Sequence, residues 1–99
     1  MRFEWDNDKA TTNQREHGVS FIEALEVFND SGAIERYDSL HSESEARFGV
    51  IGWSSRRLLL VVFTERGHGE EVVRLISARP ATRYERETYD KQQVEQQEG

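Results

Sequence analysis

Between residues 57 and 86, three arginines lie at or just after the ends of predicted strands or at the start of a predicted helix. Arg66 follows one apolar run, Arg79 ends a second one, and Arg83 lies one residue after a predicted helix cap at Thr82. A guanidinium group presents a planar fork of N–H donors that matches phosphate oxygens, and the first N–H groups of a helix also attract anions. These residue types and positions predict an anion-binding site, with Arg79 and Arg83 as the better supported pair.

The apolar pattern indicates how these arginines are positioned. Residues 58–63 are consecutive apolar residues, which is typical of a strand buried on both faces. A loop containing glycine separates them from a second apolar run at residues 72–78, so the two runs predict a hairpin. Thr82 and Glu85 have the spacing of a capping box and predict a helix after the hairpin. Arg66 and Arg79 then lie near opposite ends of the hairpin, and they share a site only if the sheet is short or a neighbouring element brings them together.

The rest of the chain supplies the other elements of one domain. Four are predicted: a strand over residues 2–5, a polar helix over 7–17, an amphipathic helix after Ser20 and a strand over 47–54. Residues 29–46 lack periodicity and predict a long loop. The order β-α-α-β-β-β-α indicates an α+β fold with helices packed on an antiparallel sheet. Residues 1–91 are the predicted domain, and the polar residues 92–99 are expected to fray.

Charge is distributed unevenly along the chain. The 99 residues carry a net charge of −6, which by itself argues against nucleic-acid binding. Residues 1–46 carry −7 and residues 87–99 carry −3, whereas residues 47–86 hold eight arginines and four glutamates. The basic charge therefore coincides with the predicted hairpin. On charge alone, solvated arginines on a sheet face without a ligand are the commoner explanation.

The composition excludes several classes of function. The chain has no cysteine, which rules out disulfides and thiolate chemistry and predicts a cytoplasmic protein. We expect no membrane segment, because no apolar stretch is long enough to span a bilayer, and no apolar signal region. His17, His41 and His68 lack the spacing of metal ligands, so we expect neither a metal nor a cofactor.

Six blocks of sequence together resemble one protein family. They are F-E-W-D at 3–6, H-G-V-S-F at 17–21, H-S at 41–42, G-W-S-S at 52–55, L-L-V-V-F-T-E-R-G at 59–67 and I-S-A-R-P-A-T-R-Y-E-R at 76–86. The chain is similar, over nearly its whole length, to the BrnT ribonuclease toxins of type II toxin–antitoxin systems. This resemblance implies a compact RelE-like fold and a metal-independent endoribonuclease that inhibits translation. It also implies a BrnA-type ribbon-helix-helix antitoxin and operator binding only through the toxin–antitoxin complex, and it allows a dimer of the toxin within that complex.

Cleavage of RNA without a metal has three chemical requirements, and each candidate residue is assigned to one of them. The 2′-hydroxyl must lose a proton, the charge on phosphorus must be stabilised and the leaving oxygen must gain a proton. Arg66, Arg79 and Arg83 are the predicted phosphate ligands. The candidates for proton transfer are Glu65, His41, His17 and Tyr84, of which Glu65 and His41 are assigned to the catalytic site. Glu65 could instead be a paired surface carboxylate, and His41 an exposed loop histidine.

Other residues are candidates for binding the partners. The RNA-binding candidates are two aromatic residues that could stack on bases and two arginines: Trp53, Tyr84, Arg57 and Arg86. Aromatic residues of a small domain more often fill its core. The acidic helices predicted within residues 6–30 carry Glu23 and Glu26, which are candidates for contact with a basic segment of the antitoxin.

A second interpretation is a binding module without catalysis. Where relatives commonly have lysine, histidine and lysine, this chain has Glu16, Phe63 and Pro80. The loss of two positive charges and one imidazole favours a catalytically weak or inactive relative that binds a protein partner in an autoregulatory complex. Replacing Arg79 and Arg83 by alanine separates the two interpretations, because only an enzyme would lose toxicity while still binding its antitoxin.

Overall fold

The chain forms a five-stranded sheet with helices on both faces. A computed structural model describes residues 1–38, 45–69 and 71–98. The strands are β1 (Arg2–Glu4), β2 (Ile34–Tyr37), β3 (Arg47–Trp53), β4 (Leu58–Arg66) and β5 (Val72–Pro80), and the helices are α1 (Asn7–His17), α2 (Phe21–Leu25) with a 3₁₀ turn (Glu26–Asn29), and α3 (Arg83–Glu98). The α+β class is confirmed. None of the helices in these ranges is long and apolar enough to cross a membrane.

The sheet has the order β1-β5-β4-β3-β2. Strands β3, β4 and β5 form the predicted antiparallel meander, and β2 pairs antiparallel with β3. Strand β1 pairs parallel with β5, so the sheet is mixed and not wholly antiparallel as predicted. The sequence did not predict β2, which lies inside the stretch interpreted as a long loop. Only Ile34 of this edge strand is even partly buried, so its sequence lacks the alternation that marks a half-buried strand.

The main core lies between the sheet and the helices α1 and α2. Alternate residues of β4 project into it, Leu59, Val61 and Phe63, and meet Phe21 of α2. Asn13 joins the two layers, because its amide donates to the carbonyls of residues 19 and 78 and accepts from the N–H of residue 78. This contact explains how a helix that is polar almost all round packs on the sheet.

Helix α3 covers one end of the opposite sheet face. Ile51, Leu58 and Tyr89 form a small second core beneath it. The Asp30 carboxylate accepts a 2.8 Å hydrogen bond from the Tyr89 hydroxyl, and Gln93 donates from Nε2 to a backbone carbonyl at 2.9 Å. The helix therefore continues through residues 92–98, which the sequence predicted to fray, because packing anchors a segment whose composition alone gives no stable helix.

The contact between Tyr89 and Asp30 makes the attachment of α3 sensitive to alkaline pH. Burial and the adjacent carboxylate raise the pKa of Tyr89 from 10.0 to about 12. The neutral phenol is therefore favoured in the folded state, and this stabilisation is present below about pH 10 and lost as the pH rises through about 12. We expect alkaline titration, followed by tyrosinate absorbance and circular dichroism, to release α3 in this window.

Two phenylalanine variants isolate that effect. Tyr89→Phe removes the hydroxyl and should lower the unfolding free energy at neutral pH by about 1.5–3 kcal/mol, because a hydrogen bond to a charged group is lost. It should also remove the Tyr89 contribution to the alkaline transition. Tyr84 is 71% exposed, so Tyr84→Phe should leave both properties unchanged. An unaltered alkaline transition in Tyr89→Phe would contradict the assignment.

Candidate functional site

A row of polar and charged side chains crosses the sheet on the face opposite α1 and α2, which we call the arginine face. Directly paired residues of neighbouring strands project from the same face of a sheet. Arg47 of β3 pairs with Thr64 of β4, which pairs with Arg74 of β5. The row ends at Asp38, whose N–H donates to the carbonyl of Arg47, and at Glu4, whose carboxylate lies 2.8 Å from Arg74 Nη1. Positive charge is thus concentrated in the middle strands.

A groove of about 340 Å³ lies beside this row. Its lining combines two arginines, a carboxylate and a hydroxyl with large apolar side chains: Arg47, Arg79, Asp38, Ser77, Leu60, Val62 and Ile76. Strand pairing places Leu60 opposite Arg79 and Val62 opposite Ser77, so the polar groups stand beside an apolar surface. Hydrogen bonds and ion pairs are stronger next to such a surface than in open water.

A larger depression of about 540 Å³ lies between α1 and α2, on the helical layer. Its lining is mostly apolar, with Trp5, Phe21 and Ile22, and among the residues that the structure describes its one charged member is Arg15. Chemistry on a phosphodiester needs both positive charge and groups that transfer protons. Of these two depressions, the groove on the arginine face has both, so we place the candidate site there.

Arg79 is fixed in the groove by the beginning of α3. Its Nη1 and Nη2 atoms lie 2.8 and 2.9 Å from the two carboxylate oxygens of Glu85. Glu85 also accepts the N–H of Thr82 at 2.8 Å, and the Thr82 hydroxyl accepts the N–H of Glu85, which confirms the predicted capping box. Burial acts to raise the pKa of Glu85, but the bonds from Arg79 and Thr82 outweigh it and lower that pKa. Glu85 is therefore ionised at neutral pH and holds the guanidinium in one orientation.

The structure does not bring the three predicted phosphate-binding arginines together. Arg83 is 92% exposed, its Nε lies 3.2 Å from Glu87, and within the described chain it does not line the groove. Arg66 contacts Glu45 at 3.4 Å. Arg66 lies six residues along β4 from Leu60, the residue that pairs with Arg79. At the usual rise per residue of a strand, this separates Arg66 from Arg79 by roughly 20 Å. Of the three, only Arg79 reaches the groove.

Glu65 and Arg66 do not share a site either, because neighbouring residues of a strand project from opposite faces. Phe63 belongs to the main core, so Glu65 projects towards the α1 and α2 side, while Thr64 and Arg66 belong to the arginine face. This corrects the prediction of Glu65 as a base beside Arg66. His41 falls outside the described residues, and its role in proton transfer stays a prediction.

Arg57, which is partly exposed, and the buried Glu23 form a clamp rather than two binding sites. Arg57 donates from Nε and Nη2 to the Glu23 carboxylate at 2.9 and 2.8 Å and from Nη2 to the Gly18 carbonyl at 2.8 Å. Ser54 Oγ donates to the same carboxylate at 2.8 Å. The hydrogen bond from Arg57 is the main cause that lowers the pKa of Glu23, and Glu23 in turn raises the pKa of Arg57.

This clamp corrects two predictions. Glu23 is only 8% exposed, so it offers no surface to an antitoxin, and Arg57 donates to Glu23 and Gly18 and, within the described residues, does not line the groove on the arginine face. Glu26 differs, because its side chain accepts exposed hydrogen bonds from Ser55 at 3.2 and 3.4 Å. Contact of Glu26 with an antitoxin stays a prediction.

The aromatic candidates remain accessible. Trp53 is 40% exposed, and the guanidinium carbon of Arg86 lies 5.3 Å from its ring centroid, in the range of a cation–π contact. Tyr84 is 71% exposed on α3. Binding of RNA by these three residues stays a prediction.

The sequence interpretation missed several groove residues: Asp38, Arg47, Ser77 and, in the adjoining row, Arg74. The signal that could have found them is strand register. Once β3, β4 and β5 are aligned as a meander, Arg47, Thr64 and Arg74 become directly paired neighbours on one face. The positions of the arginines along the chain do not by themselves show which of them share a face of the sheet.

Comparisons with known proteins assign the chain to a class of ribonuclease toxins. A family model described as "Ribonuclease toxin, BrnT, of type II toxin-antitoxin system" matches residues 5–85. The protein is therefore a ribonuclease toxin of a type II toxin–antitoxin system. Within that class, it belongs to the BrnT family.

A solved structure supports the assignment. The chain is similar to the crystal structure of the Brucella abortus ribonuclease toxin BrnT, with a TM-score of 0.63 and 26% sequence identity. The match covers 84% of this chain and 99% of that chain. No curated protein sequence matches the chain significantly.

Proposed function

We propose that the protein cleaves RNA without a metal ion at the groove on the arginine face, and that this cleavage inhibits translation. The observation that carries the proposal is the presence of Arg47 and Arg79 in one groove with a carboxylate and a hydroxyl. Two guanidinium groups supply the charge that a pentacovalent phosphorus requires. Membership of the BrnT family supports the choice of RNA as the substrate.

The groove residues then take distinct roles. Arg47 and Arg79 contact the non-bridging oxygens of the scissile phosphate, and Glu85 orients Arg79. Asp38 takes the role first assigned to Glu65 and accepts the proton of the 2′-hydroxyl, whose oxygen attacks phosphorus. The bond from phosphorus to the 5′ oxygen breaks, and that oxygen gains a proton, for which His41 is the proposed donor. The products are a 2′,3′-cyclic phosphate and a 5′-hydroxyl.

Incubation of the purified protein with single-stranded RNA in excess chelator tests this mechanism. We expect cleavage at the same rate with and without chelator, and cyclic phosphate at the new 3′ ends. Loss of cleavage in chelator, with recovery on addition of Mg²⁺, would contradict metal independence. Intact RNA after incubation with folded protein would instead favour the binding module.

We propose further that a BrnA-type ribbon-helix-helix antitoxin neutralises the protein. Support comes from the type II family and from Glu26 of the 3₁₀ turn, whose exposed carboxylate suits a basic partner segment. The complex, in which the toxin can be a dimer, would bind operator DNA through the antitoxin. Expression of the toxin alone should arrest growth, and co-expression of such an antitoxin should restore it.

One observation favours the alternative of a weak or inactive enzyme. Glu85 already neutralises part of the charge of Arg79. A chain that is harmless when expressed alone, yet still binds the antitoxin, would support that alternative.

A further inference from the structure

A second groove, of about 270 Å³, lies between β2 and α3. It is lined by one strand residue and by side chains spaced three or four apart on one flank of α3: Arg36, Tyr84, Thr88, Lys91, Gln92 and Glu95. A different flank of α3 holds the helix in place through Glu85, Tyr89 and Gln93. Because that flank is anchored, the residues of the second groove are presented by a fixed helix.

The second groove adjoins the candidate active site along β2. Ile34 packs in the small core beneath α3, so it projects from the arginine face. Arg36 is the next residue of β2 on that face, and Asp38, which lines the first groove, follows it. Positions two residues apart on a strand are separated by roughly 7 Å. Arg36 pairs with Gly49, which has no side chain to separate the two grooves.

The chemistry of the second groove suits a nucleotide. Tyr84 is a large side chain left 71% exposed, and a phenol ring provides a stacking surface for any base. Arg36 and Lys91 place two positive charges in the same groove as that ring, against the one negative charge of Glu95. An aromatic platform with cations beside it is the arrangement that single-stranded nucleic acid binds.

We infer that this groove binds the nucleotide next to the scissile phosphate, with its base stacked on Tyr84 and its phosphate contacted by Arg36 and Lys91. The inference rests on the proposed ribonuclease function and adds a subsite to it. Tyr84 is then a substrate-binding residue that acts on affinity and on preference for the flanking base. It takes no part in proton transfer.

Steady-state cleavage of a short single-stranded RNA by Tyr84 variants tests the inference. Tyr84→Ala should raise KM about tenfold with little change in kcat, because stacking contributes to substrate binding and not to the chemical step. Tyr84→Phe keeps the ring and should behave as the unmodified protein. Arg83→Ala, which changes an exposed neighbour outside the groove, is the matched control. In Tyr84→Ala, the affinity for an RNA with 2′-deoxyribose at the cut site should fall by the same factor as KM rises.

The outcomes separate the subsite from the ribonuclease proposal. If the unmodified protein cleaves RNA and Tyr84→Ala has the same KM, affinity and base preference, the subsite is overturned while the proposed function stands. If the unmodified, folded protein neither cleaves nor binds RNA, the proposed function fails as well. Weaker antitoxin binding by Tyr84→Ala, with RNA binding unchanged, would assign the groove to the protein partner and also overturn the inference.

Discussion

Replacing Arg79 and Glu85 together by glutamine should reduce kcat for RNA cleavage by about 10²–10³-fold, the usual cost of removing one group that stabilises charge in the transition state. Arg79 is the arginine that β5 contributes to the groove, and its guanidinium is held there by both carboxylate oxygens of Glu85. The double variant avoids leaving a half-buried carboxylate without its partner. The amide oxygen of the introduced glutamine can still accept the N–H of Thr82, so the cap of α3 is preserved.

Arg83→Ala is the matched control for this prediction. The residue is also an arginine near the start of α3, but it is 92% exposed and pairs with Glu87 four residues on. Such a surface pair contributes about 0.3–0.5 kcal/mol, so cleavage and stability should change little. Equal losses of cleavage in the double variant and in Arg83→Ala would support the sequence prediction that Arg79 and Arg83 bind the phosphate together. Full activity in the double variant would remove Arg79 from the mechanism.

Arg57→Ala should lower the free energy of unfolding by about 3 kcal/mol, because it strands the buried Glu23 carboxylate. The three hydrogen bonds of Arg57 join α2, the end of α1 and the turn before β4. For a domain of this size the thermal midpoint should fall by roughly 15 °C. Urea unfolding and a thermal melt measure both quantities, and the variant should still cleave RNA at a temperature where it is folded.

The adjacent Arg56 is the control for the clamp. Its Nη1 atom lies 3.7 Å from Glu23, but its side chain is 71% exposed, so Arg56→Ala should change stability by less than about 1 kcal/mol. The pH dependence gives a further check. Folding lowers the pKa of Glu23 below its ordinary value of 4.5. The stabilisation from the ionised carboxylate is therefore present above pH 4.5 and is lost as the pH falls through the pKa of the folded state. A stable Arg57→Ala protein with weakened RNA binding would restore Arg57 as an RNA ligand.

The local features of the fold were predictable from sequence because they depend on short-range chemistry. The apolar run of β4 and the glycine turn after it specify the hairpin, and the side chains of Asp6 and Ser20 cap α1 and α2. Strand β2 was not predictable, because its stability comes from pairing with β3 and not from its own pattern. The last turns of α3 are stabilised in the same way by a contact between residues 61 positions apart, Gln93 and Gly32.

The candidate site was less predictable than the fold, because it depends on sheet face and on distant partners. Glu65 and Arg66 are adjacent in sequence but project from opposite faces. Glu23 and Arg57 look like free surface charges until the chain brings them together across 34 positions. Arg47 and Arg79 attract no attention as a pair in the sequence, and the meander brings both to one groove.

The most direct test of the site is the location of a bound RNA in a structure of the unmodified protein. A short single-stranded RNA with 2′-deoxyribose at the cut site lacks the attacking hydroxyl and should remain intact. We predict that its uncleaved phosphate lies between Arg47 and Arg79 on the arginine face. Density for this phosphate on the layer formed by α1 and α2, with the groove empty, would contradict the account.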